Sequence, residues 1–106
     1  MKDNLLDEFL DKFYDGESNF EGINLSGQNL EGLRLTDLNF TGADFSNANL
    51  EGAFLEGTNL TNVNLSGANL RGAELDRANL TGATINGTDF DGAFFSDTIM
   101  PDGSIR

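Results

Sequence analysis

Residues 48–82 read ANLEG AFLEG TNLTN VNLSG ANLRG AELDR ANLTG, a succession of five-residue units in a single phase. The phase extends beyond this stretch, because every fifth residue from Phe20 to Phe95 is Leu, Phe or Ile. Steps of five scatter around the axis of an α-helix and alternate between the two faces of a flat strand, so neither element explains the period. The sequence therefore predicts a polypeptide that coils in five-residue steps.

The residues around each central apolar residue indicate the shape of one unit. Two residues before the centre the side chain is usually small, most often Ala, which predicts that it also points inward. One residue before the centre Asn or Asp recurs, and two residues after it Gly is the commonest residue. Asn47 and Asn62 replace this Gly, and Asn is the residue that best substitutes for Gly at a positive φ. Each unit is therefore predicted to be a short extended piece followed by a turn.

A slower period shows how many units complete one circuit. Few of the residues directly before a centre are neither Asn nor Asp, and four of these exceptions are spaced by twenty: Arg34, Phe54, Glu74 and Phe94. This spacing predicts that four units, or twenty residues, make one coil.

The pattern resembles that of the pentapeptide-repeat family, A-(D/N)-L-x-x, which appears here as residues 48–50, 68–70 and 78–80, each reading ANL. The resemblance covers residues 18–97. It implies an all-β solenoid, namely a right-handed quadrilateral β-helix of about four coils with one unit on each side. It also suggests a short member of the type found in cyanobacteria.

The segments on either side of the array are predicted to cover the ends of the solenoid, whose core and strand edges would otherwise be open. Residues 1–17 are predicted to form an amphipathic capping helix, with Asn4 near its N-terminal cap and Gly16 as its stop. Its apolar residues follow helical spacing: Leu5, Leu6, Phe9, Leu10 and Phe13. Docking of this helix onto a partner is the alternative.

Residues 98–106 are predicted to form a C-terminal tail that covers the other end less well. Pro101 lacks a backbone donor and is predicted to end the ladder, and Asp102-Gly103 is a turn pair. The apolar residues that remain to fold over the last coil are Ile99, Met100 and Ile105. The protein is therefore predicted to be a monomer or a weak end-to-end dimer.

The composition bears on catalysis and location. The 106 residues include neither Cys nor His and carry a net charge of −12. Thiol and imidazole chemistry and the usual zinc sites are therefore excluded. No Ser has a plausible base nearby and the paired carboxylates are predicted to be exposed, so we expect no enzymatic activity, no cofactor and no metal ion. Neither a secretion signal nor a run of membrane-spanning length is found, which makes a cytoplasmic location the expectation.

The twenty-residue period sorts the outward residues onto four sides, each with one column before the centre and one after it. The first side has Asn19, Asn39, Asn59 and Asn79 with Glu21, Thr41, Thr61 and Thr81; the second has Asn24, Asp44, Asn64 and Thr84 with Ser26, Ser46, Ser66 and Asn86; the third has Asn29, Asn49, Asn69 and Asp89 with Glu31, Glu51, Arg71 and Asp91; the fourth has Arg34, Phe54, Glu74 and Phe94 with Thr36, Glu56, Asp76 and Ser96. Acidic residues concentrate on the third and fourth sides.

The fourth side carries the functional prediction. Phe54 and Phe94 stand where the repeat favours Asn or Asp, and both are predicted to point to water. Aromatic residues in a polar rim are typical of binding hot spots, whereas isolated exposed aromatics are the alternative explanation. The predicted partner-binding residues are Phe54, Glu56, Glu74, Asp76 and Phe94.

The protein is accordingly predicted to be a non-catalytic scaffold or regulatory module that binds another protein, with neither nucleic acid nor a membrane as its partner. The family resemblance offers an alternative, a DNA-mimicking protein that binds or inhibits a type II topoisomerase such as DNA gyrase. Duplex DNA, however, carries about one charge per 1.7 Å, roughly twice the net charge expected on the two acidic sides. An ice-binding surface on the Thr41, Thr61 and Thr81 column is a further alternative, although the repeat itself explains that column.

Overall fold

The computed structural model describes residues 5–106, which form one α-helix followed by a solenoid. Helix α1 spans Leu5–Tyr14. Beyond it, the extended pieces are single-residue parallel β-bridges that join positions twenty residues apart: Asn19↔Asn39, Asn24↔Asp44, Asn29↔Asn49, Arg34↔Phe54, Asn39↔Asn59, Asp44↔Asn64, Asn49↔Asn69, Phe54↔Glu74, Asn59↔Asn79, Asn64↔Thr84, Asn69↔Asp89, Glu74↔Phe94 and Asn79↔Ile99. The predicted twenty-residue coil is therefore observed, with each coil stacked in parallel on the one before it.

Backbone hydrogen bonds repeat with the five-residue unit. The central residue donates its N–H to the following coil, as in Phe40 N–H to Asn59 O at 2.9 Å. Asn59 donates its own N–H back to Leu38 O at 2.9 Å. A third bond, from Ala43 N–H to Phe40 O at 2.9 Å, closes the turn at the end of the unit. Each unit is thus bonded both to its neighbouring coils and across its own corner.

The corners require a left-handed backbone conformation. Gly52 and Gly57 have φ of 66° and 69°, and Asn47 and Asn62 have φ of 58° and 60°, which confirms the prediction made from these residue types. Asp37, Arg77 and Asp97 also adopt positive φ, although such residues enter this region less readily than Gly or Asn.

Two inward positions of each five-residue unit fill the interior. The central residues from Leu25 to Leu80 are buried, and Ala at the small-residue position is buried beside them. Thr58 and Thr98 occupy the small-residue position as well, and each hydroxyl donates a 2.6 Å hydrogen bond, to Leu35 O and Leu75 O respectively. These polar groups are thereby satisfied inside an otherwise apolar core.

Helix α1 lies over the first coil, residues 18–37. Phe9 is buried, and its ring centroid lies 4.7 Å from that of Phe20 and 6.0 Å from that of Phe40. The helix ends at Tyr14, and Gly16, two residues later, takes a φ of 97°. Asn4, the predicted N-terminal cap, lies outside the described residues.

The C-terminal segment differs in part from the sequence prediction. The five-residue phase continues to Met100, which is buried, and Pro101 still takes part in the ladder by accepting Gly82 N–H at 3.0 Å. The backbone then reverses, and Ile99 forms an antiparallel bridge with Ile105. Ile105 was predicted to cover the last coil, but it is 70% exposed because the hairpin directs it outward. The core at this end is less well covered, since Ile85, Phe90 and Phe95 are only half-buried.

Candidate protein-binding surface

On three of the four sides, the Asn or Asp before each centre has a local structural role. Its Oδ1 accepts the backbone N–H two residues further on, as in Thr61 N–H to Asn59 Oδ1 at 3.0 Å. This arrangement is an Asx turn, in which a short polar side chain takes the place of a backbone turn. Across the described residues of the array, Asx turns form at Asn19, Asn24, Asn29, Asn39, Asp44, Asn49, Asn59, Asn64, Asn69, Asn79 and Asp89.

The fourth side lacks the Asx turn at every coil. Its four residues before the centre are Arg34, Phe54, Glu74 and Phe94. As a result, the N–H groups of Thr36, Glu56 and Asp76 have no hydrogen-bond acceptor within residues 5–106, and only that of Ser96 finds one, Thr98 Oγ1 at 3.2 Å. Each missing bond forgoes about 1 kcal/mol of net stabilisation. The fourth side therefore gives up local stabilisation that the first and third sides keep at every coil and that the second side lacks only at Thr84.

The two predicted aromatic anchors differ in exposure. Phe94 is 59% exposed, as predicted. Phe54 is half-buried, because the guanidinium of Arg34 lies over its ring at 4.7 Å from the centroid. The prediction that both rings point freely to water is therefore wrong for Phe54. Arg34 was not among the predicted site residues, because its contact with Phe54 depends on a side-chain conformation that the pattern of residue types does not specify.

The predicted acidic residues lie beside the aromatic ones. The bridges Phe54↔Glu74 and Glu74↔Phe94 place the three side chains on successive coils, roughly 5 Å apart. Glu56, Glu74 and Asp76 are half-buried. The Oε1 of Glu56 is shielded from solvent and has no hydrogen-bond partner among the described residues. An acceptor in this state favours a donor that comes from another molecule.

A groove at the N-terminal end adjoins the fourth side. It is lined by Phe13, Tyr14, Gly16, Gly32, Leu33 and Arg34. Arg34 belongs to both surfaces, since it lines the groove and covers Phe54. Tyr14 is exposed, and its ring centroid lies 5.0 Å from that of Phe13. The sequence prediction did not include this groove, because its residues come from α1 and from the first coil.

The third side is acidic but partly neutralised. Arg71 Nη1 lies 3.2 Å from Asp89 Oδ2 and 3.3 Å from Asp91 Oδ2. The pKa of the Asp89 carboxyl lies below its ordinary value, first because it accepts the Asp91 N–H and second because it bonds to Arg71. The described residues contain no group of three Asp, Glu, His or Cys side chains that could hold a metal ion. Within residues 5–106, no helix combines the length and hydrophobicity that a membrane crossing requires.

Comparison with known proteins assigns the family. The family model described as pentapeptide repeats (8 copies) matches residues 18–57 and 58–97. The chain therefore belongs to the pentapeptide repeat family. No curated protein sequence matches it at a significant level.

Solved structures of the same family are similar to this protein. The crystal structure of alr5209, a pentapeptide repeat protein from Nostoc PCC 7120, is 31% identical with a TM-score of 0.80, covering 88% of this chain and 78% of that one. HetL, which is involved in heterocyst differentiation regulation in the cyanobacterium Nostoc sp. strain PCC 7120, is 30% identical with a TM-score of 0.36, covering 83% and 51%. A pentapeptide repeat protein of the Arabidopsis thaliana thylakoid lumen is 31% identical with a TM-score of 0.36, covering 81% and 70%.

Proposed function

We propose that this protein is a non-catalytic module that binds another protein through the fourth side of a right-handed, four-sided β-helix of four coils. The observation that carries the proposal is the absence of the Asx turn from that side at all four coils. Arg34, Phe54, Glu74 and Phe94 stand at outward positions, so their departure from the repeat brings no gain in core packing. A binding requirement on this surface explains why local hydrogen bonds are given up there.

The outward groups of the fourth side define the chemistry of the partner. Phe94 offers a large apolar ring, while Glu56, Glu74 and Asp76 supply an acidic rim. A complementary surface has an apolar pocket for Phe94 surrounded by Lys or Arg. A donor from that rim would also satisfy the shielded Oε1 of Glu56. Association is expected to weaken as salt increases, because the rim charges are accessible to counterions.

The charge arrangement favours this function over imitation of duplex DNA. A phosphate backbone presents negative charge without interruption, at about one charge per 1.7 Å. Here Arg71 lies within the most acidic column and bonds to both Asp89 and Asp91. Arg34 similarly lies at one end of the fourth side. A DNA-mimicking inhibitor of DNA gyrase is therefore the second candidate function, and the experiment below distinguishes it.

The test is a comparative capture experiment on an extract of the source organism. Wild-type protein is compared with the double variant Phe54→Asn/Phe94→Asn, which restores the repeat residue at both positions. A partner that uses this side should be retained by the wild type and lose about thirtyfold or more in affinity for the double variant, since hot-spot residues contribute at least about 2 kcal/mol. The matched control is Thr84→Asn, which restores the repeat on the second side and should leave capture unchanged.

Two results would contradict the proposal. Proteins held equally by wild type and by Phe54→Asn/Phe94→Asn do not use the fourth side. Inhibition of purified DNA gyrase by both proteins at the same concentration, with added DNA competing, would favour the DNA-mimicking function instead. Circular dichroism of the double variant must match that of the wild type, so that a loss of binding is not a loss of fold.

A further inference from the structure

Asn86-Gly87 is the one Asn-Gly pair in the sequence, and it lies at a corner of the last coil, residues 78–97. Asn86 is exposed, and its side-chain amide makes no hydrogen bond within residues 5–106. It stands where the corresponding corners of the second side have Ser26, Ser46 and Ser66. Neither packing nor hydrogen bonding therefore holds the Asn86 side chain in place.

The backbone amide that follows Asn86 is also free. At the equivalent corners of earlier coils the amide is held by the next coil: Gly27 N–H bonds to Ser46 O at 2.8 Å and Gly67 N–H bonds to Asn86 O at 2.9 Å. Gly87 N–H has no acceptor in the described part of the protein, because the polypeptide reverses after Pro101 and places no backbone over this corner. Gly87 thus combines an unrestrained N–H with the absence of a Cβ that would crowd its nitrogen.

We propose that Asn86 is a site of spontaneous deamidation that converts it to aspartate and isoaspartate. The Gly87 nitrogen attacks Cγ of Asn86, a new bond forms between these two atoms, and the bond between Cγ and Nδ2 of Asn86 breaks. The amide nitrogen leaves as ammonia, taking up the proton that Gly87 loses. Water then opens the resulting five-membered succinimide at either carbonyl, which gives aspartate or isoaspartate. The only co-reactant is water, and no electrons are transferred.

The other candidate sites are less reactive for structural reasons. Asp91-Gly92 also lies at a corner of the last coil, but the Asp91 carboxylate pairs with Arg71 and, as an anion, resists nucleophilic attack. The carboxylate of Asp102 is likewise an anion and resists attack, and Gly103 N–H is held by Met100 O at 2.8 Å. Asn62, at another corner, precedes the β-branched Val63, which hinders attack by its nitrogen. The structure therefore singles out Asn86.

The modification would alter a side that is nearly uncharged. It introduces a carboxylate beside Thr84 and above Ser66. Isoaspartate also adds a methylene to the backbone, so the unit that contains residue 86 would be one backbone atom longer than the others. Gly67 N–H, which bonds to Asn86 O, would lose or reposition its acceptor. Deamidation is thus expected to loosen the C-terminal edge of the solenoid.

The experiment compares three folded proteins incubated at mildly alkaline pH: wild type, Asn86→Ser, and Asn86→Ser/Ser66→Asn. The last variant moves the same Asn-Gly pair one coil inward, where Gly67 is flanked by a following coil and its N–H is bonded. Peptide mapping by mass spectrometry, with enzymatic methylation of isoaspartate, measures conversion. We expect wild-type Asn86 to convert about tenfold faster than the asparagine introduced by Ser66→Asn, the factor that one backbone hydrogen bond of ordinary strength contributes. The Asn86→Ser protein should gain no isoaspartate at this corner.

The same proteins unfolded in urea provide the reference, because both Asn-Gly pairs should then convert at similar rates. Equal rates for the folded wild type and the folded moved variant would overturn the role assigned to the free Gly87 N–H. If Asn86 stays intact in the folded wild type while the unfolded protein converts fully, Asn86 is not a deamidation site of the folded protein.

Discussion

An Asn directly before the central apolar residue stabilises the unit in two ways. Its Oδ1 closes the Asx turn, and at Asn39, Asn49 and Asn69 its Nδ2 also bonds to the Asn of the preceding coil, as in Asn39 to Asn19 at 3.1 Å. Neither bond is available to a hydrophobic side chain. This local chemistry explains why the residue recurs at exposed positions, where burial cannot be the reason.

The residue scale gives a first prediction, on stability. Phe94→Asn should leave the free energy of unfolding unchanged or raise it by less than about 1 kcal/mol, because Asn offers Ser96 N–H an Asx acceptor besides Thr98 Oγ1 and the exposed ring contributes little packing. Phe54→Asn should raise the free energy of unfolding by less than Phe94→Asn does, since it removes the ring that Arg34 covers. Urea unfolding of both variants tests this. A Phe94→Asn protein that is clearly less stable than the wild type would show that Phe94 packs on its own fold.

A second residue-scale prediction concerns Asp89. Arg71→Ala should raise the pKa of the Asp89 carboxyl without restoring it to its ordinary value near 4, because the larger cause, the Asp91 N–H, remains. A depressed folded-state pKa contributes stability above the unfolded pKa, and this contribution is lost as pH falls through the folded value. Carboxyl NMR titration of wild type and Arg71→Ala measures the shift. An unchanged Asp89 titration would mean that the Arg71 contact does not persist in solution.

At the scale of elements, the two ends of the solenoid are covered differently. Helix α1 inserts Phe9 against the aromatic rings of Phe20 and Phe40. The C-terminal hairpin instead extends the ladder by one unit and stacks the guanidinium of Arg106 on Phe95, at 4.2 Å from the ring centroid. It leaves Ile85 half-buried. The N-terminal end is therefore expected to contribute more to stability.

The prediction for α1 uses two aromatic residues of the same helix. Phe9→Ala should lower the free energy of unfolding by about 3 to 5 kcal/mol, as the removal of a fully buried Phe does. Tyr14→Ala is the control, because Tyr14 is exposed and should change stability by less than about 0.5 kcal/mol. Thermal and urea unfolding measure both. Equal effects of the two substitutions would mean that α1 does not cover the core.

These elements also show what the sequence could predict. The period, the coil length and the inward columns follow from which residues are apolar or small, since burial imposes that pattern directly. The contact between Arg34 and Phe54 depends on a side-chain conformation, and a pattern of residue types does not specify one. Met100 continues the five-residue phase, but Ile99 stands in the usual Asn position and Pro101 follows, so the residue types do not identify this extra unit. Ile105 has the same phase and is exposed, because the hairpin reverses the backbone.

At the scale of the whole molecule, the twenty-residue coil decides which residues share a side. The fourth side exists as a surface only because Arg34, Phe54, Glu74 and Phe94 differ by multiples of twenty. A coil of another length would distribute them around the axis. The proposed binding surface therefore depends on a register that is set by every coil together.

This register can be tested by cross-linking, because the natural sequence has no Cys. In the double variant Asn39→Cys/Asn59→Cys, the new thiols replace bridged residues of adjacent coils, so a disulfide should form under mild oxidation. In Asn39→Cys/Asn64→Cys the second thiol lies on the next side, and in Asn39→Cys/Asn79→Cys it lies two coils away, about 10 Å along the axis. Neither of these pairs should close within one molecule, because Cα atoms more than about 7 Å apart cannot be bridged without backbone movement. Non-reducing electrophoresis and intact mass distinguish the three variants. Efficient closure of the 39/64 pair, with none of the 39/59 pair, would require a different coil length. Arg34, Phe54, Glu74 and Phe94 would then not share one side of the solenoid.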